Sequence, residues 1–293
     1  MLVFFLFILG LAVGSFLNVL IDRIPNDESP FAGRSYCDKC KKTLKWYDMV
    51  PVLSFLILKG KCRYCRAYIS FYYPLVELIT GIMFVLMYQF TIHNSQFTSS
   101  TIEQFSNLTI NYLYYLFILS SFIVIFFTDL KYGIIPDKIV YPAIIISFFF
   151  LFFTLREFLQ LRSGQAWLSF PLQPAILVQL ATLGVYANRF LSALGSFAFF
   201  LILYLITRGK GMGFGDVKLA FLLGIILGFP KIIAAFYLAF LTGAIVGSIL
   251  IVWGKKKLKG GTIPFGPFLI IGAVLSLFFG EKIIRLASLW LSF

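Results

Sequence analysis

The pattern of apolar and polar positions along the chain has neither the period of two of a half-buried strand nor the polar face of a soluble amphipathic helix. Long, almost unbroken apolar runs recur instead, near the length needed to cross a hydrocarbon core of about 30 Å. Eight spans are predicted: 2–21, 73–90, 111–129, 138–155, 191–207, 216–229, 231–253 and 265–280. The sixth and eighth are short. Segment 172–187 is also apolar, but Pro171, Gln173, Pro174 and Gln179 interrupt it, so it is expected to be an interfacial or re-entrant piece. The first run lacks a basic start and continues into Asn18 and Asp22-Arg23 without a small-residue cleavage site, so it is expected to be a retained helix rather than a signal peptide. The expected fold class is an all-α polytopic membrane protein of about eight transmembrane helices, with a small cytoplasmic four-cysteine zinc-binding loop domain.

Composition agrees. The chain is 60% hydrophobic and 13% charged, whereas soluble domains carry about a quarter charged residues. The net charge of +13 is accounted for by loop lysines and arginines, so membrane orientation explains it better than nucleic acid, and no nucleic-acid partner is expected. Loop 22–72 contains Arg23, Arg34, Lys39, Lys41, Lys42, Lys45, Lys59, Lys61, Arg63 and Arg66, while loop 91–110 contains no Lys or Arg. Eight spans put Lys131, Lys138, Arg208, Lys210, Lys218 and the Lys255–Lys259 cluster on the side of loop 22–72. The positive-inside tendency makes that side the cytoplasm and turns both termini outward.

The chain has four cysteines, in two C-x-x-C pairs: Cys37 with Cys40, and Cys62 with Cys65. Two such knuckles can surround one zinc ion tetrahedrally. The alternative is a pair of disulfides, which a reducing cytoplasm disfavours. Lys39, Lys41, Lys61 and Arg63 also favour thiolates. A four-cysteine site has no open position, so such a metal is structural. Trp46, Met49, Val52, Leu53 and Phe55, between the knuckles, can form a small core or lie on the membrane surface.

Three acids stand against apolar sequence: Glu77, Asp129 and Asp216. Ionisable groups in such places are expensive and point to function. Asp129 closes one span. Asp216 opens another, after Gly211-Met-Gly213-Phe-Gly215. Both fall at the predicted cytoplasmic end, at similar depth, as a dyad requires. Gly213 and Gly215 are expected to let a substrate strand approach the backbone closely. Two carboxylates sharing a proton can hydrolyse a peptide bond. A helix C-terminus disfavours a second anion and an N-terminus favours one, so Asp129 is the expected protonated member and Asp216 the ionised one. The alternatives are helix capping, or ion pairs with Lys131, Lys218 or Arg208. Asp137, after Pro136, is expected to cap its helix. The sole histidine, His93, lies in the predicted outer loop, which disfavours a Ser-His mechanism, and H-E-x-x-H is absent.

Taken together, Gly14-Ser-Phe-Leu-Asn-Val-Leu-Ile-Asp-Arg-Ile-Pro25, the two knuckles, Tyr73-Pro-Leu-Val-Glu77-Leu-Ile-Thr-Gly81, Asp129-Leu-Lys-Tyr-Gly-Ile-Ile-Pro-Asp137, Gly213-Phe-Gly-Asp-Val-Lys-Leu219 and Ile263-Pro-Phe-Gly-Pro267 are specific. The chain resembles the type IV prepilin peptidases, of the GxGD class of intramembrane aspartic proteases. The resemblance implies removal of a leader from prepilins or pseudopilins on the cytoplasmic side of the bacterial inner membrane. It also implies N-methylation of the new amino terminus with S-adenosylmethionine. It makes Asp129 and Asp216 catalytic and the cysteines part of a cytoplasmic metal-binding loop. Residues 1–90 would be the methyltransferase-associated part, 111–280 the peptidase domain and 281–293 a tail. Many members have Arg where this chain has Tyr72, and segment 155–190 is longer than expected. The methyl-donor pocket is not located by sequence, with the basic loop and Glu77 as candidate neighbours. The substrate is expected to be one hydrophobic helix with a basic leader, which the basic loop would not attract; its lysines and arginines are expected to hold anionic membrane lipid. The rival reading is a cation- or proton-coupled transporter using Asp129 and Asp216; a membrane-anchored zinc-binding module is a further alternative.

Overall fold

The computed structural model describes residues 1–37, 39–94, 102–163, 172–209, 211–253 and 264–291. Nine helices run through them: α1 (Leu2–Arg23), α2 (Leu53–Ile57), α3 (Tyr72–Asn94), α4 (Ile102–Tyr132), α5 (Asp137–Ser163), α6 (Leu172–Thr207), α7 (Phe214–Leu227), α8 (Lys231–Val252) and α9 (Gly266–Leu291). The described residues contain only isolated β-bridges, Tyr36 with Thr43 and Lys61 with Tyr68. Asp38, residues 95–101, segment 164–171, Lys210 and the Lys255–Lys259 cluster lie outside the described residues.

Seven helices are long and apolar enough to cross a membrane, and the chain is a polytopic membrane protein. The sixth predicted span, α7, has 14 residues, about 21 Å at 1.5 Å per residue. It is apolar all round and buried from Asp216 to Leu227 apart from Lys218 and Phe221. A helix of that kind belongs to a bundle core and need not match the bilayer.

The interruption expected at 172–187 is absent. One helix, α6, runs unbroken from Leu172. Pro174 falls in its first turn, where backbone N–H groups have no intrahelical acceptor, so the missing donor breaks nothing. His93 likewise lies in the last turn of α3 rather than in a loop.

The chain divides into two compact units, Met1–Pro136 and Asp137–Phe293. In the first, α1, α3 and α4 pack on one another. The α1–α3 contact rests on glycine. A Cβ on Gly10 would lie 2.7 Å from the Gly81 Cα, and one on Gly14 2.7 Å from the Glu77 Cα. Such small-residue seams let helix backbones touch where lipid offers no hydrophobic drive.

In the second unit α7 is central, packing on α5, α6, α8 and α9. Gly224 of α7 faces Ala193 of α6, and a Cβ there would come within 2.5 Å of the Ala193 Cα. At the far end of α7, Asn188 of α6 accepts the Phe229 N–H at 3.1 Å and donates to the Phe229 carbonyl at 2.9 Å. One amide thus satisfies both backbone groups of a residue in the turn between α7 and α8.

Gly224→Leu should force α6 and α7 apart. We expect a destabilisation of about 1–3 kcal/mol, read as a lower unfolding midpoint in detergent, with Gly195→Ala as the neutral comparison because a Cβ on Gly195 meets nothing within 4 Å.

Candidate functional site

The four cysteines converge. Their sulfurs all lie within 4.8 Å of one another, and the Cys37 and Cys65 Sγ atoms are 3.8 Å apart. Four thiolates about 2.3 Å from one zinc stand about 3.8 Å from each other by tetrahedral geometry. The separation also exceeds a disulfide bond of about 2.05 Å.

The local fold explains the convergence. Cys37 N–H donates to the Lys42 carbonyl at 3.0 Å and Lys41 N–H to the Cys37 carbonyl at 2.8 Å. Twenty-five positions on, Cys62 N–H donates to Ala67 at 2.8 Å and Arg66 N–H to Cys62 at 2.9 Å. Lys41 and Arg66, each following the second cysteine of its pair, both have positive φ, 56° and 55°. The two knuckles are the same turn built twice. Asp48 braces the second: it accepts Arg63 Nε at 2.6 Å and the Tyr64 hydroxyl at 3.3 Å. The Ala67 backbone N–H draws the Cys65 thiol down. Burial and the sulfurs of Cys40, Cys62 and Cys37 outweigh it and push Cys65 up to about 11. Thiols crowded in this way ionise together readily only around a cation, so the donor set fits a thiophilic metal.

Glu77 is buried in α3, and its Oε2 accepts the Val52 backbone N–H at 2.7 Å. Val52 has φ 59°, a conformation that a β-branched residue holds only where its surroundings fix it. Nearby, Asn18 donates to the Tyr73 carbonyl at 3.1 Å. The Asn18 Oδ1 and Tyr72 hydroxyl are buried with no hydrogen-bond partner among the described residues.

Asp129 is 5% exposed, near the end of α4 in the first unit. Gly133, φ 68°, closes that helix with its N–H on the Asp129 carbonyl at 2.8 Å, the left-handed stop at which glycine carries no steric penalty. Asp216 is 6% exposed, in the first turn of α7 in the second unit. Its Oδ2 accepts the Gly213 N–H at 3.1 Å, while its own N–H donates to the Gly213 carbonyl at 3.2 Å. Gly213 is extended, φ −77°, and a Cβ there would meet its nearest atoms only at 3.8 Å. The fold itself therefore makes no demand for glycine at position 213.

Each aspartate is followed two residues later by a lysine, and each lysine is engaged with another carboxylate. Lys131 Nζ lies 2.6 Å from Asp22, which also accepts the Tyr73 hydroxyl at 2.9 Å. Lys218 Nζ donates to both oxygens of Asp137, at 2.7 and 2.9 Å. Residues i and i+2 of a helix point apart, so neither lysine is aimed at its neighbouring aspartate. Asp137 is the first residue of α5 and also tethers α7. The sequence carried no signal for the partners of Asp22 or Asp137, because each pairing joins elements remote along the chain.

Two family models match: the bacterial peptidase A24 N-terminal domain over residues 8–91, and the type IV leader peptidase family over residues 116–248. The prepilin leader peptidase/N-methyltransferase of Bacillus subtilis strain 168 is 32% identical over 279 residues, covering 95% of both chains. The protein of that name from Aeromonas salmonicida strain A449 is 28% identical, over 95% of this chain and 91% of its own. The one from Neisseria gonorrhoeae is 28% identical, over 97% and 93%. No solved structure gives a significant match. With both models matched in order and a relative above 30% identity along nearly its whole length, the chain belongs to the type IV leader peptidase family.

Proposed function

We propose that the protein is a membrane aspartic endopeptidase that removes the leader from type IV prepilins or pseudopilins and N-methylates the new amino terminus. The full-length similarity to prepilin leader peptidase/N-methyltransferases carries this reading. Asp129 and Asp216 are its catalytic pair. Both are buried in apolar helices, and the lysine beside each is bound elsewhere. The two carboxyls would share one proton. One carboxylate takes a proton from the attacking water while the other, protonated, donates to the scissile carbonyl oxygen. The water oxygen bonds to the carbonyl carbon, and the leaving nitrogen receives a proton as the peptide bond breaks. We assign the resting proton to Asp129, at a helix C-terminal end, and the anion to Asp216, whose carboxylate accepts a backbone N–H at a helix start. The open side of Gly213, with Gly215 two residues on, suits an extended substrate strand lying against the backbone.

Residues 1–90 form the methyltransferase-associated part in this reading and 111–280 the peptidase part; residues 281–291, expected to belong to a tail, continue α9. The four cysteines hold zinc, which ties the loop together without entering the chemistry. S-adenosylmethionine supplies the methyl group when bound. The orphaned Asn18 and Tyr72 polar atoms, with Glu77 five residues after Tyr72, suit a polar ligand at that end of the first unit. The basic loop and both aspartates face the cytoplasm by the positive-inside tendency.

Asp129→Asn and Asp216→Asn, purified in detergent and given a prepilin-like peptide, should each lower cleavage by more than about 100-fold with the unfolding midpoint unchanged. If both variants still cleave, the aspartates are structural; altered ion flux instead would favour a transporter. Metal analysis should give about one zinc per chain, falling below half in Cys62→Ser. In that variant the product mass should lose the methyl increment before cleavage is lost. A Cys62→Ser protein with full zinc content would remove the metal assignment.

A further inference from the structure

The short helix α2 is held against the start of the membrane span of α3. The Val52 amide, just before α2, is bound by Glu77, which lies five residues inside the span that begins at Tyr72. At 1.5 Å per residue this sets Val52 within about the first two turns of the span. Phe55 packs edge-on against Phe71, with ring centroids 6.0 Å apart. A Cβ on Gly60 would touch the Phe55 ring at 3.1 Å. Phe55 is therefore the inward side of α2.

The other side is apolar and uncovered. Leu53, Leu56 and Ile57 share one face by their i, i+3, i+4 spacing, and they are 57%, 66% and 68% exposed. Lys59, two residues after Ile57, is exposed. Loop 22–72 carries ten basic residues and five acidic ones, and two of those acids, Asp22 and Asp48, are already bound to Lys131 and Arg63. An apolar face at that depth, under a surplus of positive charge, has the pattern of an interfacial helix on an anionic leaflet.

We propose that α2 is a membrane-inserting foot: Leu53, Leu56 and Ile57 enter the acyl boundary of the leaflet that the four-cysteine loop faces, while the surrounding lysines and arginines meet anionic headgroups. The occupant is lipid rather than the prepilin substrate, because a basic loop repels a basic leader. The proposal rests on the membrane reading of the chain and is independent of its peptidase reading. It gives Glu77 a positioning role, in setting how deep the foot sits.

The full-length protein is reconstituted in vesicles of phosphatidylcholine and phosphatidylglycerol, with the photoreactive residue p-benzoylphenylalanine at position 53, 56 or 57, or at the comparison positions 55 and 42. After irradiation, lipid adducts are measured by mass, with and without a prepilin-like peptide. The expected result is a lipid adduct yield at 53, 56 and 57 at least about fivefold above that at 55 and 42, rising with the phosphatidylglycerol fraction. Yields at 53, 56 and 57 no higher than at 42 would mean that the face is in water and overturn the proposal. Equal yields at 55 and 56 would overturn the assigned face. Adducts on the peptide in place of lipid would make α2 a protein-docking element and overturn it too. Each readout is independent of catalysis, so failure here leaves the peptidase reading standing, and loss of cleavage leaves this one standing.

Discussion

A carboxylate buried in an apolar helix bundle is tolerated only where the surroundings control which cations reach it. In this protein helix geometry sets the direction of two lysines. Asp129 and Asp216 each precede a lysine by two positions, and helical geometry points that lysine away. Other carboxylates then receive it: Asp22 takes Lys131, and Asp137 takes Lys218. Much of the polar architecture within each unit follows. The Asp22 cluster binds the end of α1 to α4 and, through Tyr73, to α3. The Asp137 pair joins the start of α5 to α7. The same contacts that hold the helices together thus engage the lysine that stands two residues after each buried acid.

The legible part of the sequence was the part written in local signals. Apolar runs gave the spans, because a bilayer demands unbroken stretches of a set length. The C-x-x-C spacing gave the cysteine cluster, because each knuckle is one turn whose hydrogen bonds close within six residues. Asp129 and Asp216 stood out as acids in apolar surroundings. The missed features are non-local. The pairing of Lys218 with Asp137 spans 81 positions and that of Lys131 with Asp22 spans 109. Nothing in either neighbourhood announces the other. The break expected within 172–187 is absent for a different reason: proline was counted as a breaker without regard to its place in the first turn.

Glycine has two separate uses here. At Gly14 and Gly224 it brings helix backbones together, and a larger side chain has nowhere to go. At Gly213 the backbone is ordinary and the space beside it open. Among the described residues, packing makes no demand for glycine there.

The duplicated knuckle has a consequence for how the loop assembles. Each copy supplies only half of a ligand set, and each closes its turn through its own backbone bonds. A two-thiolate half-site holds a metal ion weakly compared with a closed four-thiolate shell. An ion gripped by both halves would tie together the two ends of the stretch between the copies, which includes α2. With one ion as the bridge, assembly of the four-cysteine loop would be a dimerisation within one chain, with residues 41–61 as the tether.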